Sequence, residues 1–178
     1  MGLVQQVCSY WTCAAIINTD VVRKWGGFFD RYRCLLGEDV FLFIKLAFNE
    51  RIGVTPEPHV IYHTEASDLY GGGTMGTCFP IPPYLEDPAE LLDACPPAKL
   101  SVLKKMLAQR ALAKAETLAK AGYGQEAIKL LDRFTQGAYP TEKGVLKVRV
   151  LAGIAPLLPQ AGRLWHKAKA LMHGRSVQ

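Results

Sequence analysis

Glu38 and Asp39 stand side by side ahead of an apolar run that continues from Val40 to Phe48. A carboxylate in the first turn of a helix meets the partial positive charge of the helix N-terminus, which favours its ionised form. Beside a dry apolar helix, such a group can act as a general base. Two adjacent carboxylates repel at close range, so one of them is expected to be paired or to share a proton. The plainer alternative is that Glu38 and Asp39 only favour a helix start. A second combination, Cys8 and Cys13 with His59 and His63, superficially suggests zinc. In an extended segment, however, the two imidazoles start about 13 Å apart at about 3.3 Å per residue, too far to share one tetrahedral ion without folding back.

The elements that must position these groups follow from patterning. Residues 8–17 are rich in aromatic, β-branched and small side chains, which predicts a buried strand. Gly26 and Gly27 then punctuate, and residues 28–32 make a short apolar turn. Residues 38–48 form a helix that is apolar on nearly every side and must be covered all round. Residues 52–63 carry Pro56 and Pro58 and then His-Val-Ile-Tyr-His, which reads as an edge strand. Residues 64–84 are a loop built on Gly71-Gly72-Gly73, Gly76, Pro80, Pro82 and Pro83, of a length usual for a functional lid or a linker. Beyond it the chain is helical. Asp87-Pro88-Ala89-Glu90 is a helix start with a capping box. Leu100, Leu103, Leu107, Ala111, Ala115 and Leu118 recur at helical spacing up to Gly122. Residues 125–134 complete a hairpin of tetratricopeptide type, a single pair where an independent solenoid needs about three repeats. Two further helices are expected over residues 145–158 and 163–172.

The ordered set Trp25-Gly26-Gly27-Phe28-Phe29-Asp30, then Gly37-Glu38-Asp39-Val40, then Pro56-Glu57-Pro58-His59-Val60-Ile61-Tyr62-His63 resembles the C-terminal third of the catalytic domain of family 2 glycosyltransferases. The likeness spans roughly residues 8–70, with an extra Phe29 before Asp30 as its departure. It implies the GT-A fold, hence an α/β fragment followed by an all-α tail, helix-dominated overall. The domains would be a partial catalytic domain at 1–70, a Gly/Pro-rich linker at 71–85 and a helical region at 86–178. By the resemblance Asp39 is the base of an inverting sugar transfer from a nucleotide-sugar donor to a hydroxyl acceptor, a glycan or a lipid-linked one, and Glu38 is its neighbour. His63 would bind a divalent metal (Mg or Mn) bridging the donor diphosphate, or touch the diphosphate itself; the alternative is a strand-end His bonded to backbone. Gly27 and Phe28 would belong to the substrate site. Trp11, with Tyr10 and Trp25, could stack on a pyranose ring, although such rings more often fill core. The Gly71–Gly73 run lacks the Gly-Lys-Ser/Thr of a phosphate cradle but matches the place of a loop that closes over the donor.

What the family has and this sequence lacks is the nucleotide half with its Asp-x-Asp motif; no Asp-x-Asp occurs anywhere in the chain. The expectation is therefore a truncated or split transferase, inactive unless another chain supplies that half. Strands without parallel neighbours and an uncovered apolar helix at residues 40–48 would then favour self-association. A rival class is a noncatalytic helical interaction module at residues 88–137.

Composition bounds these readings. Of 178 residues, 49% are apolar and 21% charged, too apolar for a disordered chain. No run approaches the ~18 apolar residues of a membrane span, and no basic residue precedes the first apolar stretch as in a signal peptide. Five cysteines, an odd number with no Cys-x-x-Cys, suit reduced thiols in a cytoplasmic protein rather than a disulfide scaffold. Residues 1–80 carry net charge −2 and residues 81–178 net +7; from Thr141 onward seven basic residues face one acid. That tail fits a solvated helix face or a peripheral contact with anionic lipid at the inner face of the cell membrane, through Arg163, Trp165, Lys167 and Lys169. No motif points to nucleic acid.

Overall fold

The computed structural model describes residues 12–31, 37–55, 57, 59–61, 81–134 and 142–154. Helix accounts for 72% of these residues and no strand occurs among them. The α/β reading is thereby overturned. Residues 12–17, expected in a strand, form a 3-10 turn (Thr12–Ala14) and then an irregular segment. The described parts of 52–63 are irregular as well. β-branched composition makes a strand only where a neighbour accepts and donates the ladder hydrogen bonds, and no described segment supplies one.

The helices are α1 (Thr19–Lys24), α2 (Glu38–Asn49), α3 (Pro83–Glu86), α4 (Ala89–Ala94), α5 (Leu100–Lys120), α6 (Gly124–Phe134) and α7 (Glu142–Ile154). They divide between two compact units, residues 1–107 and 108–178, with the boundary inside α5.

In the first unit the core is α2. All eight residues Phe41–Phe48 are buried, so the helix is covered by its own chain and the expected uncovered apolar face is absent. Burying each large apolar side chain here contributes about 1.5–3 kcal/mol. Leu42, Phe43 and Leu46 pack against Ala15, Ile17, Val21, Val22 and Trp25, α3 and α4 pack against other parts of the same helix, and Phe29 stacks on Phe41 at 4.8 Å.

Lys45 lies inside this core, only 5% exposed. Its ammonium donates to the Trp25 carbonyl at 2.8 Å and to Glu90 Oε1, and sits 5.0 Å over the Phe41 ring. A buried ammonium needs such partners, since an unpaired one costs several kcal/mol. Glu90 therefore does not close the capping box expected of it. Its second oxygen accepts from Arg31 at 2.6 Å, while the start of α4 is held by Asp87 Oδ1 accepting from the Ala89 amide at 3.4 Å.

In the second unit, Ala108, Ala111, Ala115, Leu118 and Ala119 of α5 are buried, with Ala127, Leu130 and Leu131 of α6 and Val148 and Ala152 of α7. Alanine along α5 permits close approach at low side-chain entropy cost. Gly122, at φ +94°, ends α5: its amide donates to Ala119 O at 3.1 Å and that of Tyr123 to Leu118 O at 2.9 Å, a Schellman closure. Helix α7 extends earlier than expected, to Glu142, and packs against α6. The helix expected over 163–172 lies outside the described residues.

Candidate functional site

Two local devices bring the expected motifs together. Helix α1 ends in a Schellman closure: the Gly26 amide donates to Arg23 O at 3.1 Å and the Gly27 amide to Val22 O at 3.0 Å, with both glycines at positive φ (82° and 74°). The turn leads into Phe29, whose amide donates to the carbonyl of Glu38 at 3.2 Å. The Gly-Gly-Phe turn and the Glu-Asp pair are thus stitched by backbone. Gly37 precedes the pair at φ +91°, where a Cβ would come within 3.1 Å of Pro82 Cβ.

The two carboxylates differ sharply in their surroundings. Asp39 is half-buried and fully engaged: Oδ1 accepts from the Val40 amide at 2.7 Å and Oδ2 from the Thr12 hydroxyl at 2.7 Å. Both oxygens are thus held by protein donors in the first turn of the helix. A carboxylate has about four acceptor sites, so one donor on each oxygen leaves room for further donors. Glu38 carries the opposite feature: its Oε2 is buried and has no hydrogen-bond partner. A buried acceptor left unpaired costs about 1–3 kcal/mol, and such atoms recur where a ligand or proton completes the set.

Gly27 and Phe28 lie just before Phe29, the residue bonded to Glu38, and Phe28 is 48% exposed, an available apolar face. Trp11 and His63 lie outside the described residues. Among the described residues no group of three or more His, Cys, Asp or Glu side chains gathers as a metal set. His59 Nε2 lies 3.2 Å from the Thr55 hydroxyl.

A cleft of about 380 Å³ opens in the same unit between residues 14–18, Val21, Phe43, Leu46 and residues 50–55. Neither Glu38 nor Asp39 lines it. On its rim Glu50 accepts from Lys24 at 2.7 Å and from Trp25 Nε1 at 2.8 Å, and these donors hold its carboxyl below the usual carboxylate range. Sequence reasoning passed over Thr12 and Lys45. Thr12 could not be found because its partner is remote in sequence; Lys45 was visible as a charge in an otherwise apolar helix.

Compared with protein-family models, curated proteins and solved structures, the chain matches none.

Proposed function

We propose that the chain carries the base-bearing part of an inverting sugar transferase, acting on a nucleotide-sugar donor and a hydroxyl acceptor in surface-glycan or glycolipid synthesis. The observation that carries the reading is the state of Asp39: an oriented carboxylate at a helix N-terminus, held by Thr12 and Val40 and tied through Glu38 to the Gly-Gly-Phe turn. In the proposed step the acceptor hydroxyl gives its proton to Asp39. Its oxygen bonds to the anomeric carbon from the face opposite the donor phosphate, and the nucleoside diphosphate leaves. The chain holds no Asp-x-Asp, so the diphosphate needs contacts from another chain beside that of His63, and no step is routed through a metal ion.

Among the described residues no helix is long and apolar enough to cross a membrane. A cytoplasmic location, in keeping with the cysteine usage, belongs to the proposal.

The test is transfer of labelled sugar from nucleotide-sugar donors with Mg²⁺ or Mn²⁺, using the full chain alone and in lysate of its source cells. Asp39→Asn is expected to lower transfer by about 10²–10⁴-fold, the usual contribution of a positioned base. Transfer that ignores this substitution would remove Asp39 from the reaction.

A further inference from the structure

The second unit, residues 108–178, carries twelve Lys and Arg against four Asp and Glu, a net charge of +8, while residues 1–107 carry net −3. Helix α7 carries three of these cations, Lys143, Lys147 and Arg149, beside apolar surface. Val148 and Ala152 turn inward, 0% and 8% exposed, whereas Leu146 and Val150 are 63% and 55% exposed. At 100° per residue, Lys143, Leu146, Lys147, Val150 and Gly153 share the outward face. The one carboxylate of the helix, Glu142, lies at the edge of that face, four residues before Leu146. Lys147 pairs with Glu116 at 2.7 Å and Arg149 with Asp132 at 3.4 Å, yet both cations remain 58% exposed.

We propose that the outward face of α7 docks in the headgroup region of an anionic lipid bilayer. Leu146 and Val150 enter the acyl boundary, and Lys143 and Lys147 meet lipid phosphates, the arrangement of an interfacial helix. The +8 unit supplies the long-range attraction to the negative surface. Aliphatic side chains at the centre of the face select a bilayer over nucleic acid, whose phosphate backbone rewards charge alone. The inference is independent of the sugar-transfer reading.

Co-sedimentation of the full chain with vesicles tests it, using phosphatidylcholine alone or with about 30% phosphatidylglycerol, at about 0.1 M and 0.5 M salt. Anionic vesicles are expected to carry down at least about tenfold more protein than neutral ones, with most of it released at high salt. Leu146→Glu with Val150→Glu should cut binding at least about tenfold while helical circular dichroism is kept. If that pair unfolds the unit, Leu146→Ser with Val150→Ser gives the same reading at exposed positions. Equal binding to neutral and anionic vesicles, or binding untouched by the apolar substitutions, overturns the proposal. So does a vesicle-inert protein that instead shifts duplex DNA.

Discussion

The hydroxyl of Thr12 donates to Oδ2 of Asp39 at 2.7 Å, across 27 positions of sequence. The Val40 amide donates to the other oxygen, so each oxygen of the carboxylate has its own protein donor. Thr12→Val keeps the shape and removes the donor. If Asp39 is the base, transfer falls by roughly tenfold, about 1.4 kcal/mol in the barrier, and Thr12→Ser restores it. A purely structural Thr12 would lower thermal stability and leave the rate per folded molecule unchanged.

Lys45 and Glu90 predict an asymmetry. Removing the carboxylate in Glu90→Ala leaves a buried ammonium with only the Trp25 carbonyl and the Phe41 ring, at a cost of about 2–4 kcal/mol. Lys45→Met takes the charge out of the core and leaves Glu90, 46% exposed, with Arg31. Its cost is expected below about 1.5 kcal/mol. Urea midpoints of the two variants decide the order; Lys45→Met proving the more damaging would show that the ammonium organises the core beyond its pairing.

Glycine has opposite meanings at two places in the second unit. A Cβ at Gly124 would lie 2.7 Å from the Ala152 carbonyl oxygen, a backbone atom that cannot step aside, whereas one at Gly153 meets nothing within 4 Å. Gly124→Ala is therefore expected to destabilise by about 1–3 kcal/mol. Gly153→Ala should stabilise by about 0.5–1 kcal/mol through helix propensity. Thermal melts of both variants provide the comparison.

Glu116 accepts from Lys120 at 2.6 Å and Lys147 at 2.7 Å, and these donors draw its carboxyl down to about 2. A carboxylate with a lowered folded-state pKa adds stability that is fully present above the unfolded value of 4.5. That stability drains away as pH falls from there towards about 2. Denaturant midpoints followed by helical circular dichroism across this range should show a decline that Glu116→Gln flattens. An identical acid profile in the variant would assign the loss to other carboxylates.

Cys95 is buried at the end of α4, and desolvation raises its thiol pKa against the opposing field of Lys99. Thiolate is the reactive form, so Cys95 should react with a disulfide reagent at least about tenfold more slowly in the native protein than in urea. Equal rates would mean that the end of α4 opens freely.

Periodicity and punctuation were enough to place α2, α5 and α6, but not the short helices α1 and α3. The apolar run 38–48 demanded cover on all sides, and Gly122 marked the end of α5, because helix geometry and capping are local in sequence. The Glu-Asp pair was legible for the same reason. Whether residues 12–17 and 52–61 form strands was not, since pairing depends on a partner that local composition does not reveal. Tertiary structure alone brought Thr12 to Asp39, turned Glu90 from its helix cap to Lys45, and left Leu146 and Val150 facing outward beside lysines. Each of these is a contact, or a lack of one, between groups distant along the chain, and only packing determines which of them meet.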